Sequence, residues 1–163
     1  MSAPKGYSSA QIRLHWLIAA LIVFQLIFGE DMGAVWRSFE TTGSATLGAW
    51  GWAHVVVGIA VLELAIWRLE LRWARGVPDA PAGDSARQAK VASAVHWLLY
   101  ALMVIAPLSG IIAWYGGVAA AAEFHEILKP VFIVLIAGHF VAALYHHFWL
   151  KDGLLNRMRT PQD

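Results

Sequence analysis

The stretch AEFHEILKPVFIVLIAGHFVAALYHH, from Ala122 to His147, holds four of the chain's seven histidines in a segment that is otherwise almost wholly apolar. Its last part belongs to a run of 21 uncharged residues, from Pro130 to Leu150. A helix needs about 20 apolar residues to cross the hydrocarbon core of a bilayer. The stretch is therefore predicted to form a transmembrane helix that carries imidazoles at membrane depth.

Three further runs have the same character. No charged residue lies between Arg13 and Glu30, Val91 to Ala122 are 32 uncharged residues, and Ala49 to Trp67 are interrupted only by Glu63. The pattern predicts an all-α fold, a four-helix transmembrane bundle. Its helices are expected near residues 12–29, 49–70, 92–114 and 125–149.

Composition narrows the class of protein. The 163 residues are 59% hydrophobic and only 14% charged, which is too apolar for an ordinary soluble domain. The net charge of +1 gives no electrostatic support for nucleic-acid binding. The absence of cysteine excludes disulfides, iron–sulfur clusters and covalently attached haem. Residues 1–163 show no internal repeat and are expected to form a single membrane-embedded domain.

The cations predict the orientation. With four helices both termini share one side, and that side carries ten of the twelve Lys and Arg residues, whereas the other has Arg37 and Lys129. The positive-inside rule then places both termini in the cytoplasm of a bacterial inner-membrane protein. The first run is interpreted as a retained helix rather than a cleaved signal peptide, because it is long and lacks a small-residue cleavage site.

Four histidines fall into two pairs by depth. His125 and His139 are 14 residues apart, which is about 21 Å along a helix and within about 40° of the same face. His54 lies near the outer end of the second predicted helix, and His15 near the inner end of the first. His54 is therefore expected to meet His125 at the outer level, and His15 to meet His139 at the inner level.

Two bis-histidine sites without other ligand types indicate haem b. Zinc would require four ligands, and non-haem iron a nearby carboxylate. A planar macrocycle between two helices requires one imidazole from each side and a thin helix surface. Gly58, one turn after His54, supplies such a surface, although close helix packing in a membrane also uses glycine.

These residues resemble the bacterial cytochrome b561 family, which is related to the di-haem b subunits of membrane hydrogenases and formate dehydrogenases. The motifs follow the family's order over nearly the whole chain: Arg13 with HW at His15, HVVVG from His54 with Arg68 14 residues on, HWLLY from His96, PLSG from Pro107, FHE around His125, and HHFWLKD from His146. The resemblance implies a four-helix electron carrier with two b haems. It assigns His15 and His139 to the inner haem and His54 and His125 to the outer one.

The resemblance also implies partners. It links the chain to the quinone pool at one end and to a periplasmic donor or acceptor at the other, with superoxide-to-quinone electron transfer among the family's roles. It further implies a homodimer. The same architecture anchors larger dehydrogenase or hydrogenase complexes, and this alternative stays open. A purely structural bundle and a histidine-lined transporter of metal ions or protons, for which Glu63 would be the acidic group, are two further alternatives.

Cations are expected beside the haem propionates. Arg13 and Arg68 are the candidates at the inner site and Lys129 at the outer one, although snorkelling to lipid headgroups would equally explain Arg13 and Arg68. His96, His146 and His147 are left without a ligand role. His146 is seven residues after His139 on nearly the same face, which makes it the rival inner ligand. Pro130 is expected to kink the last helix.

Overall fold

Long apolar helices make up most of the computed structural model, which describes residues 3–29 and 31–162. In chain order the α-helices are α1 (Ser9–Phe28), α2 (Asp31–Thr42), α3 (Ala49–Arg75), α4 (Ala86–Gly116) and α5 (Ala119–Tyr145). A π-helical turn (His146–Leu150) and a 3-10 helix (Leu154–Met158) follow α5. The four helices α1, α3, α4 and α5 with its π-helical turn are long and apolar enough to span a membrane. The predicted all-α, four-helix transmembrane fold is therefore confirmed.

Local capping sets two helix ends that the sequence pattern misplaced. α4 begins at Ala86 rather than near residue 92, because Ser85 and Gln88 form a reciprocal capping box. The Ser85 hydroxyl accepts from the Gln88 backbone N–H at 3.3 Å, and the Gln88 side-chain oxygen accepts from the Ser85 N–H at 2.8 Å. α3 runs to Arg75 rather than residue 70, and Gly76 ends it with a φ of 77°.

The short helix α2 is the element that the sequence did not predict. The four predicted spanning helices leave residues 30–48 as a connection on the outer side, and Glu30 itself lies outside the described residues. The following 12 residues form α2, which packs against α3. Phe39 also brings its ring to 6.1 Å from that of Trp114 at the end of α4. The hydropathy pattern does not reveal α2, because this helix is too short and too polar to span a membrane.

The bundle packs its helices in chain order. α1 lies against α3, α3 against α4 and α4 against α5. The α1–α5 and α3–α5 pairs make at most loose backbone contact within the described ranges. α5 continues through Pro130 as one helix, and the expected kink stays a prediction. The buried core holds apolar side chains from all four spanning helices: Leu14, Ile18, Val61, Ala65, Tyr100, Leu102, Met103, Leu128 and Phe132.

Both termini lie at the same end of the bundle, which we call the terminal end. The Gln162 backbone N–H donates to the Tyr7 carbonyl at 3.0 Å, which joins the two ends of the chain directly. The Trp16 indole donates to the Met158 carbonyl at 2.8 Å, and the Gln11 amide donates to the Gly76 carbonyl at 3.1 Å. The opposite end is covered by α2, and we call it the α2 end.

We expect the terminal end to face the cytoplasm. Because the chain has no cysteine, single substitutions provide clean labelling sites on exposed loops. Ser44→Cys, at the α2 end, should react with a membrane-impermeant maleimide in intact spheroplasts. Ala80→Cys, at the terminal end, should react only after the membrane is permeabilised. The reverse pattern would contradict the positive-inside assignment.

Candidate functional site

Three imidazoles meet inside the terminal end. His15 of α1 and His139 of α5 have ring centroids 6.2 Å apart, with planes at 64°. His96 of α4 is closer to His139, with centroids 5.3 Å apart and planes at 71°. The Arg68 guanidinium interacts electrostatically with these histidines and also donates to the Gln11 carbonyl at 2.5 Å. We call His15, His96 and His139 the terminal-end cluster.

Two imidazoles face each other at the opposite end. His54 of α3 and His125 of α5 have ring centroids 6.0 Å apart, with planes at 79°. They line a cavity of about 570 Å³, and Met32 and Trp36 of α2 also belong to its lining. The size and the mainly apolar lining suit a small organic ligand. We call His54 and His125 the α2-end pair.

The ring separations fit a planar metal macrocycle held between two imidazoles. An imidazole nitrogen lies about 2 Å from a bound metal ion, and the ring centre lies about 1 Å further back. Two axial imidazoles on one iron therefore have centroids roughly 6 Å apart. Both predicted pairs meet this value, at 6.2 and 6.0 Å. The 5.3 Å between His96 and His139 is too short for opposite sides of one iron.

The helices that carry each predicted pair have few close backbone contacts with each other in the described ranges. Each predicted pair joins α5 to a helix that is not closely packed against it, α1 at the terminal end and α3 at the α2 end. At the α2 end a cavity lies beside the predicted pair and offers space for a flat ligand. The structure thus brings together all four of the histidines that the sequence predicted as ligands, in the predicted pairs.

His125 is held in the orientation of a metal ligand. Its Nδ1 lies 2.8 Å from the Ala106 carbonyl and 3.1 Å from the Ser109 hydroxyl. Since a carbonyl only accepts, Nδ1 must carry the proton, and Nε2 is left to bind a metal. Gly110 makes this possible, because a Cβ there would lie 3.2 Å from the imidazole.

His54 is placed by glycines as well. A Cβ on Gly29 would lie 3.0 Å from His54 Nδ1, which is closer than real Cβ atoms normally come to a neighbour. Gly58 has its Cβ position 3.2 Å from the amide nitrogen of Gln25, and that nitrogen donates to the His54 carbonyl at 2.8 Å. Gly58 therefore makes room for Gln25 at this end of the bundle, and sequence reasoning missed both Gln25 and Gly29.

The predicted cations are placed differently from one another. Arg68 lies at the terminal-end cluster, whereas Arg13 is exposed on the surface of α1. Lys129 lines the α2-end cavity together with Arg37 of α2. Arg37 was counted in the sequence but given no role, because nothing in the pattern showed that a helix would fold it back over the cavity.

His146 is engaged outside the terminal-end cluster. Its Nδ1 lies 2.5 Å from an Asp152 carboxylate oxygen, and the other oxygen of Asp152 accepts from the Leu154 N–H at 2.9 Å. Burial opposes ionisation of Asp152, but the hydrogen bonds from His146 and Leu154 outweigh it and lower the pKa of this carboxyl group. The bond to Asp152 leaves His146 Nε2 free, so the choice of His139 as the inner ligand rests on its position opposite His15, with ring centroids 6.2 Å apart. Glu63 is exposed on the outer face of α3 and does not line the α2-end cavity.

A four-helix membrane bundle with opposed imidazoles at both ends defines a class of membrane haem protein. The family model of prokaryotic cytochrome b561 matches residues 6–161, and the chain belongs to this family. It is therefore a multi-pass inner-membrane protein of electron transport that binds haem b.

Similar proteins cover nearly the whole chain. Cytochrome b562 of Cereibacter sphaeroides is 40% identical, over 99% of this chain and 100% of that protein. The probable superoxide oxidase CybB of Yersinia pestis is 29% identical, over 94% of this chain and 96% of that protein. Cytochrome b561 homolog 1 of Escherichia coli is 29% identical, over 93% and 96%.

The close approach of Gly110 to His125 predicts that a larger side chain at position 110 causes a selective loss of the α2-end haem. Gly110→Val should push the His125 ring out of line, at a cost of about 1–3 kcal/mol, and so reduce haem content at this end. Ile112→Val, on the exposed face of the same helix, is the matched control. Haem content per chain and the reduced-minus-oxidised spectrum provide the measurement. Equal haem content in the two variants would show that Gly110 does not shape the site.

Proposed function

We propose that the chain holds two b haems and moves electrons across the membrane between the quinone pool and a periplasmic partner. His15 and His139 hold the haem at the terminal end, and His54 and His125 hold the haem at the α2 end. The observation that carries the proposal is the pair of ring separations, 6.2 and 6.0 Å, at opposite ends of one bundle. Residues 1–163 form one membrane domain in this proposal, and the chain acts as a homodimer.

Bound haem supplies reversible one-electron chemistry. The residues of the chain fix where that chemistry happens. α5 contributes one histidine to each site, 14 residues apart, which is about 21 Å along the helix axis. The two sites therefore lie near opposite membrane surfaces, and the rigid helix keeps their spacing constant.

Superoxide is the periplasmic donor that the site supports best. Arg37 and Lys129 line the α2-end cavity together with one carboxylate, Glu126, and a lining with more cations than anions attracts a small anion. A relative from Yersinia pestis carries the name of a probable superoxide oxidase. The balanced reaction oxidises two superoxide anions to two O₂ and reduces one quinone, with two protons, to one quinol. Quinone reduction is assigned to the terminal end. Arg68 lies at this end, and the cytoplasm on this side supplies the two protons.

Purified protein in detergent tests this function. A steady superoxide source and a water-soluble ubiquinone should give quinol at half the rate at which superoxide disappears, in excess over the uncatalysed reaction. The His54→Ala variant should fall to the background rate because it lacks the α2-end haem. If quinol reduces the wild-type haems but superoxide does not, the protein is still an electron carrier, and superoxide is not its donor.

The inner ligand is tested by two substitutions on neighbouring turns. His139→Ala should remove the terminal-end haem and halve the haem content, since it removes one of the two histidines that would hold this haem. His146→Ala should retain both haems, because the α5 histidine that faces His15 is His139. A result in which His146→Ala loses a haem and His139→Ala keeps both would make His146 the ligand.

Lys129 is proposed to lie beside a propionate of the α2-end haem. A positive charge stabilises the more negative, reduced form of the site, so Lys129→Gln should lower its midpoint potential. The expected shift is a few tens of millivolts, roughly 1 kcal/mol. Lys151→Gln, at the terminal end, is the control and should leave the midpoint potential of the α2-end haem unchanged. If Lys129→Gln shifts the midpoint potential of neither haem in a redox titration, Lys129 binds lipid headgroups instead.

A further inference from the structure

Gln25 and His54 each leave one buried polar atom without a partner. Among the buried side-chain atoms of the described residues, only Gln25 Oε1 and His54 Nδ1 lack a hydrogen bond. An unsatisfied buried polar group is costly, and few occur in folded proteins. Here one atom is an acceptor and the other is a ring nitrogen that donates when protonated.

The Gln25 side chain already contacts the backbone of His54. Gln25 Nε2 donates to the His54 carbonyl at 2.8 Å, and since a carbonyl only accepts, this bond fixes which end of the amide is nitrogen. Gly58 makes room for the amide, and Gly29 makes room for the imidazole. Gln25 also lines the α2-end cavity. Its free oxygen is therefore an acceptor within the same site as the imidazole.

His125, which lies opposite His54, shows which hydrogen bond His54 lacks. His125 has its Nδ1–H bonded to the Ala106 carbonyl, and Nε2 remains for a metal. Histidines that bind metals usually donate their other N–H to an oxygen acceptor, which fixes the ring and makes the ligand more basic. When His54 binds iron through Nε2, its Nδ1 carries a proton and needs such an acceptor.

We propose that Gln25 Oε1 accepts the hydrogen bond from His54 Nδ1–H in the haem-loaded protein. The terminal torsion of glutamine is soft, so the amide can turn to the imidazole within the pocket. Gln25 is a positioning residue that orients His54 and lowers the midpoint potential of the α2-end haem, because a more basic ligand stabilises ferric iron. This inference rests on the proposed ligand pairs.

Two substitutions of Gln25 should act in opposite directions. Gln25→Leu removes the acceptor and should raise the midpoint potential of the α2-end haem, with a several-fold higher reduced-to-oxidised ratio at fixed ambient potential. Gln25→Glu is a stronger acceptor and should lower both quantities. A merely structural role would shift both variants the same way. The low-spin EPR signal, which depends on the angle between the two imidazole planes, should change in Gln25→Leu and stay near wild type in Gln25→Glu.

Gln11→Leu is the matched control. Gln11 is a buried glutamine in the same helix, but its amide is bonded to Gly76 and Ser8 at the terminal end. Its substitution should leave the α2-end potential unchanged. The α2-end haem is identified in each titration as the component that His125→Ala lacks.

The outcomes separate this inference from the function on which it rests. Opposite shifts confined to the α2-end haem support it. Two haems per chain with no shift in either Gln25 variant, or shifts of the same sign, overturn it and leave the proposed function standing. If Gln25→Leu loses the haem, Gln25→Glu decides alone, and an unchanged potential there overturns the inference. Fewer than two haems in the wild-type protein would instead contradict the ligand pairs themselves.

Discussion

The rest of the bundle depends on one constraint, which is that a single helix presents an imidazole at each end of the bundle. His125 and His139 both lie on α5, and each must face a histidine from a different helix at about 6 Å. α1 and α3 have few close backbone contacts with α5 in the described ranges, and they pack on each other. α4 closes the far side and packs on both α3 and α5.

Inside the hydrocarbon region, polar groups need internal partners, and the histidines meet this need unequally. The Ala106 carbonyl and the Ser109 hydroxyl orient His125 through its Nδ1. At the terminal end three imidazoles and Arg68 share one site, with His96 too close to His139 to be the second axial ligand of the same iron. The two ends therefore differ in their surroundings although each holds one of the predicted histidine pairs, and different surroundings give different redox potentials.

Hydropathy and residue spacing predicted the features that depend on the average character of many residues. The four spanning helices follow from uncharged runs, and the histidine pairs follow from 14 residues of helical periodicity on α5. The features that the sequence did not show depend on single contacts. The position of α2 over the cavity, and with it the place of Arg37, follows from the packing of one short amphipathic helix. The roles of Gly110 and Gln25 depend on atoms that approach within about 3 Å across two helices, which no pattern in one sequence encodes.

The cleanest measurement of the central claim is the number of haems per chain. A pyridine haemochrome assay on purified protein, divided by the molar amount of protein from quantitative amino-acid analysis, should approach two b haems. His54→Ala and His15→Ala should each approach one, with different remaining spectra. A wild-type value near one would contradict the paired arrangement on α5, and a value of zero would contradict haem binding by this chain.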